Sequence, residues 1–124
     1  MRNTGWVALG AIVGANLRYI ISNWAMKNIS ASLPYGTLFI NASGSFVLGF
    51  FLAWTTDRVF ADPRWRSLVA VGFCGGYTTF SSYAAETYTL FGQGHYSLAF
   101  GNFLANNVLG LFAVVAGMAL ARAL

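Results

Sequence analysis

Charge is nearly missing from this chain. Only 8% of its 124 residues are Asp, Glu, Lys or Arg, where a soluble domain carries about a quarter. The few charges are also bunched: Asp57, Arg58, Asp62, Arg64 and Arg66 stand together, and the runs between are almost charge-free. A water-soluble fold is thereby excluded. The net charge of +4 is not the footprint of a nucleic-acid binder, because the basic residues stand at segment ends, where they reach lipid headgroups. Cysteine is reduced to Cys74 and histidine to His95, which excludes an internal disulfide framework and a Cys/His metal cluster. Cys74 reads as a small buried apolar residue. His95, between Gly94 and Tyr96, reads as a solvated turn residue. Acid is scarce too: of three carboxylates, Glu86 is the only one inside an apolar run. No cleavable leader is evident, since Arg18 interrupts the first apolar run and no small-x-small site follows cleanly. Nor is there a soluble domain, a linker or a repeat.

What the chain has is apolar surface, at 57% hydrophobic residues. Four runs reach the ~20 residues that a helix needs to span a bilayer: residues 4–26, 36–56, 67–91 and 96–121. The expected fold is a single all-α membrane domain of four crossings. Trp6, Trp24, Tyr35, Trp54, Trp65 and Tyr96 fall near the expected interfaces, where aromatic rings anchor. Short connectors make neighbouring helices antiparallel. Both termini and the middle connector then share one side, with Arg2, Arg58, Arg64, Arg66 and Arg122. Lys27 lies opposite, and the positive-inside rule favours cytoplasmic termini by a modest margin.

Residues four apart share a helix face. Gly10 and Gly14 form a small-xxx-small pair that Arg18 continues; Thr37, Asn41, Ser45 and Gly49 form a second stripe; Asn102, Asn106, Gly110 and Ala113 form a third. The glycines read as close-packing positions. Asn41, Asn102 and Asn106 lie close to mid-membrane, either as interhelical glue or as pore lining, since an amide offers two N–H donors to an anion deprived of water. Arg18 either snorkels to the interface or lines a wet vestibule that concentrates anions. Glu86 must face protein or water, because a carboxyl at a helix centre costs about 2.5–3.5 kcal/mol on insertion scales.

The third run is unusual. Gly75-Gly76-Tyr77-Thr78-Thr79-Phe80-Ser81-Ser82 is a poor spanning helix. A broken backbone at membrane depth survives only where protein buries it or a cavity receives it. The break therefore marks a candidate ion or substrate site. Unwound residues also expose carbonyl oxygens, which suit a hard cation.

The stretch from Gly72 to Glu86 closely resembles the signature of the Fluc (CrcB) fluoride channels, which reads Gly-Gly-Leu-Thr-Thr-Phe-Ser-Thr-Phe-Ser with a Glu shortly after. The likeness extends to Gly36-Thr37-Leu38 with Asn41, to Gly14 with Arg18, and to the size and spacing of all four runs. The resemblance implies a channel rather than an enzyme. It implies an antiparallel, dual-topology homodimer in the cell inner membrane with two fluoride pores, the third helix broken mid-membrane. It implies that Phe80 and Asn41 line the pore, that Arg18 lies in the vestibule, and that Asn102 and Asn106 stand on a polar track. It also implies a structural sodium ion at the dimer centre, held by the main-chain carbonyls of Gly75 and Thr78. Four positions depart from the pattern: Tyr83 stands where a second pore phenylalanine is usual, Tyr77 replaces an aliphatic residue, Ser82 a threonine and Ala84 a serine.

The residue types suit fluoride. Drying a small anion costs on the order of 20 kcal/mol in the Born limit. Hydrogen bonds to a charged group return about 1.5–3 kcal/mol each, so several donors must act in succession: Asn41, Asn102, Asn106, Thr79, Ser81 and Ser82 are the available set. Aromatic rings are positive at the edge, so Phe80 and Tyr83, three apart, could pass an anion from edge to edge. A different reading is a small proton-coupled multidrug transporter, also built from four short helices around a membrane carboxylate. That class carries its acid on the first helix, whereas Glu86 lies in the third run and the first run carries Arg18. A non-transporting scaffold would leave the broken helix and buried asparagines without purpose.

Overall fold

The computed structural model describes residues 2–56 and 62–124, and every regular element among them is helical. Helix α1 is Thr4–Asn28 and α2 is Tyr35–Thr56. Helix α3 covers residues 63–77 in three windings: an α-helical turn at Pro63–Trp65, a π-helical stretch at Arg66–Cys74 and a last α-helical turn at Gly75–Tyr77. Helix α4 is Phe80–Gly92 and α5 is Tyr96–Ala123. Three of these, α1, α2 and α5, are long and apolar enough to cross a membrane uninterrupted. Helices α3 and α4 form a further, interrupted segment. Asp57 and Arg58 of the charged connector lie outside the described residues.

Local sequence explains the ends. Asp62 accepts the Arg64 N–H at 2.9 Å, and Pro63 takes the first helical position, where its missing N–H costs nothing. After α4 the chain turns through Gly94, whose φ of 79° lies in the left-handed region that favours glycine. Gly94 N–H bonds the Phe91 carbonyl at 3.0 Å and His95 N–H the Leu90 carbonyl at 2.9 Å. His95 stands exposed in that turn.

Helix directions follow from which residues meet. Gly10 touches Leu68 and Gly72, and Gly14 touches Phe73 and Tyr77, so α1 and α3 run parallel. Asn41 meets Asn106, Ser45 approaches Gly110 and Gly49 meets Val114, so α2 and α5 also run parallel. Thr37 meets Glu86 while Asn41 meets Thr79, so α4 runs against α2. This is an up-down order of four passes. Arg2, Arg64, Arg66 and Arg122 fall at one end and Lys27 at the other.

Glycine makes both parallel seams close. A Cβ on Gly10 would strike the Leu68 carbonyl oxygen, and one on Gly14 that of Phe73. Gly49 lies against the Val114 carbonyl and Gly117 against that of Phe46. The sequence places the third spanning run at residues 67–91 with a break inside it and gives no sign of the winding before the break, where residues 66–74 form a π-helix. This wider stretch lies against α1, where the glycines hold no side chain to keep its carbonyls away. The enclosed core is small: Ile40, Ala53, Cys74 and Tyr77 are buried, whereas Ile12, Tyr19, Leu111 and Phe112 are exposed. Such exposure is costly in water and cheap against acyl chains.

Candidate functional site

The interruption falls at Thr78 and Thr79, both in extended conformation (φ −76°, ψ 159° and φ −148°, ψ 110°). An extended pair inside a helical segment forfeits the i→i−4 bonds around it, and side chains restore them. Asn41 Oδ1 accepts the Thr79 N–H at 2.8 Å, and Asn41 Nδ2 donates to the Thr79 carbonyl at 3.2 Å. Thr79 Oγ1 then accepts the Ser82 N–H at 3.1 Å and so caps α4. Thr78 Oγ1 closes the end of α3 by donating to the Cys74 carbonyl at 2.8 Å.

Carbonyls at the end of α3 lose by this arrangement, those of Gly75 and Thr78 among them. A continuous helix would send the Thr79 N–H to Gly75 and the Ser82 N–H to Thr78. The first goes to Asn41 and the second to Thr79 Oγ1. The Gly75 and Thr78 carbonyls are therefore without their helical donors. Gly75 faces open space: a Cβ there would meet nothing within 4 Å.

From Asn41 a chain of amides leads across to α5. Asn41 Nδ2 donates to Asn106 Oδ1 at 3.0 Å, Asn106 Nδ2 donates to the backbone and side-chain oxygens of Asn102, each at 3.0 Å, and Asn102 Nδ2 donates to Thr87 Oγ1 at 2.9 Å. Thr87 donates in turn to the Tyr83 carbonyl at 2.8 Å. Asn102 is 1% exposed, so its bonds are strong and its loss would be expensive. Both N–H groups of Asn41 are spent inside the chain. The donors left over are the Ser82 hydroxyl and the second N–H of the buried Asn102; Ser81, which is exposed, lies 3.4 Å from Thr79 Oγ1, a long contact that its hydroxyl can leave.

Phe80 and Tyr83 open α4 on one face. Their ring centroids lie 5.4 Å apart at 65°, edge toward face. Tyr83 is 8% exposed, whereas Phe80 is 78% exposed. A cavity of about 330 Å³ adjoins them, lined by Asn41, Gly75, Thr78, Thr79, Phe80 and Asn106 among others. A second cavity, of about 420 Å³, lies past Ser82 and holds Thr37 and Glu86. There Thr37 donates to Glu86 Oε1 at 2.6 Å, while Glu86 Oε2 is buried with no partner. The hydrogen bond from Thr79 to Ser82 Oγ, at 3.0 Å, joins the two cavities. Arg18 is half-buried on α1, one turn beyond Gly14, and lines neither cavity.

Of the residues singled out in the sequence, Asn41, Thr79, Phe80, Tyr83 and Asn106 line the first cavity and Ser82 and Glu86 the second, while Asn102 lines neither and is tied in through its hydrogen bonds with Asn106 and Thr87. Sequence reasoning passes over Asn107, Thr87 and the Ser43–Tyr77 pair, whose hydroxyls lie 2.9 Å apart. Asn107 Nδ2 donates to the Tyr83 hydroxyl at 3.1 Å. One signal was available: a buried tyrosine hydroxyl needs a partner, and Asn107 adjoins the asparagine already chosen.

Known proteins match this sequence across nearly its whole length. The family profile described as CrcB-like protein, Camphor Resistance (CrcB), matches residues 5–118. A "Fluoride-specific ion channel FluC" from Koribacter versatilis is 57% identical over 119 residues, covering 96% of this chain and 94% of its own. Proteins of the same name from Roseiflexus sp. and Aquifex aeolicus are 45% and 38% identical over 118 residues, each covering 95% of both chains. A match that takes in the glycine seams, the Thr78–Thr79 break and the asparagine chain alike makes this multi-pass membrane protein a member of the CrcB-like family.

Proposed function

We propose that this protein is a fluoride-selective channel of the cytoplasmic membrane, letting fluoride leave the cell down its gradient. The observation that carries the reading is the broken segment at Thr78–Thr79, pinned by Asn41, with the Phe80–Tyr83 edge pair and two polar cavities around it. The names of its relatives supply the ion. Physically, an anion entering this region would meet the Ser81 and Ser82 hydroxyls as donors and the ring edges as a weaker positive surface. Several modest sites in series admit an ion without trapping it. Asn41 and Asn106 act chiefly through the scaffold, since their amides are engaged with Thr79 and Asn102. Arg18 would act at a distance, raising anion concentration at the mouth. Glu86 is the functional acid of the second cavity, held by Thr37.

The working unit in this reading is an antiparallel homodimer in dual topology. Phe80, exposed beside a polar cavity, is half of a pore wall whose other half a second copy supplies. The Gly75 and Thr78 carbonyls fit a sodium ion: both lack helical donors, and Gly75 faces open space. Oxygen ligands suit such a cation, and two copies would double the number. The ion would tie the two breaks together and add positive charge near the anion path.

The test is fluoride efflux from liposomes holding the purified protein, with a potassium ionophore supplying countercharge. Fluoride should leave and chloride should stay. Well-folded protein that releases no fluoride overturns the reading.

A further inference from the structure

The Tyr83 hydroxyl is held in a defined role by Asn107. The Asn107 side-chain nitrogen donates to the Phe103 carbonyl at 2.8 Å. A carbonyl only accepts, so this bond fixes which end of the amide is NH₂. The second N–H then reaches the Tyr83 oxygen at 3.1 Å. Tyr83 is the acceptor in that bond and keeps its own proton. No acceptor for that proton stands among the described residues. Asn107 borders the 330 Å³ polar cavity but not the apolar groove that Tyr83 shares with Tyr88 and Phe100. The hydroxyl end of Tyr83 therefore lies on the polar side, beside Asn41, Thr79 and Asn106.

We infer that Asn107 is a positioning residue that turns the Tyr83 proton toward the polar cavity, making Tyr83 a hydrogen-bond donor to the permeating anion. The inference rests on the fluoride reading above and adds a binding group to it. A ring edge offers an anion a diffuse positive charge; an O–H offers a directed bond, roughly twice as strong toward an ion as toward a neutral acceptor. A compact anion gains most. The consequence is a tighter, slower site: flux saturates at lower fluoride, and the maximal rate is held down because the ion leaves less readily.

The experiment measures initial fluoride efflux against internal fluoride concentration for four proteins in liposomes: the unaltered chain, Tyr83→Phe, Asn107→Leu and the double variant. Tyr83→Phe is expected to raise half-saturating fluoride about tenfold and to raise the maximal rate. Asn107→Leu is expected to shift half-saturation the same way in the unaltered background, and by less than about twofold in the Tyr83→Phe background, because its effect passes through the hydroxyl. Asn107→Ser serves if the leucine variant does not fold. Equal shifts in both backgrounds, or a Tyr83→Phe variant with unchanged half-saturation, overturn the inference and leave the channel reading standing. An unaltered protein that carries no fluoride overturns both.

Discussion

Asn41 takes the place of a helical turn for Thr79. Its Oδ1 accepts the Thr79 N–H at 2.8 Å and its Nδ2 donates to the Thr79 carbonyl at 3.2 Å, so one side chain satisfies both main-chain groups of a residue 38 positions away. In lipid no water can do this. The break is therefore stable only while α2 presents an amide at that level.

Substituting Asn41 should be severe for stability as well as flux. Asn41→Ala leaves the N–H of Thr79, a residue that is 6% exposed, and the side-chain oxygen of Asn106 without partners, while the Thr79 carbonyl keeps the first helical bond of α4. Each orphaned group costs about 1–3 kcal/mol, so a loss of about 2–6 kcal/mol is expected. Unfolding in detergent, followed by circular dichroism, checks it. A variant that melts with the unaltered protein would show that Thr79 finds other partners.

The glycine seams give a second test with an internal control. Gly49→Val places a side chain against the Val114 main chain, and Gly14→Val one against Phe73. Backbone cannot swing aside as a side chain can, so overpacking should cost about 1–3 kcal/mol or more in each case. Gly101, also in α5, has nothing within 4 Å of its Cβ direction. Gly101→Ala should be neutral or stabilising by up to about 1 kcal/mol through helix propensity. Thermal midpoints of the three variants make the comparison.

Much of this was legible in residue types, and the remainder depends on pairings between helices. Scarce charge and apolar run length announce α1, α2 and α5, and hydroxyl residues beside Gly75-Gly76 announce a break within residues 75–82, which the structure puts at Thr78–Thr79. Asn41 and Asn106 are found by their four-residue stride. Their bonding is not: whether an amide faces an ion path or spends its N–H groups on Thr79 and Asn102 is set by the neighbouring helix. Asn107 escapes because it lies about 100° around the helix from Asn106, off the stripe. The π-winding of residues 66–74 has no local signal, because it is expressed against α1 across Gly10 and Gly14.

Phe80 separates wall from scaffold. It is 78% exposed and accepts no hydrogen bond, so its removal should leave the fold intact. Phe80→Ile keeps a bulky apolar side chain and deletes the positive ring edge. Fluoride efflux should fall to background while the elution position on size-exclusion chromatography is unchanged. A conducting isoleucine variant would remove the ring from the pathway.

Sodium withdrawal tests the carbonyls of Gly75 and Thr78, which no side-chain substitution can delete. In the proposed dimer these oxygens are turned toward one cation, and without it they would repel one another across the symmetry axis. Protein purified and reconstituted in N-methylglucamine, a cation too large for such a site, should lose fluoride efflux and shift toward monomer. Readdition of sodium should restore both, and lithium or potassium should do so less well, because ligand distance is fixed by two helix ends. The response should saturate with sodium concentration, since a bound ion stabilises the state that holds it in proportion to RT ln(1 + [L]/Kd). Efflux and dimer fraction that ignore sodium altogether would assign the freed carbonyls to some other partner.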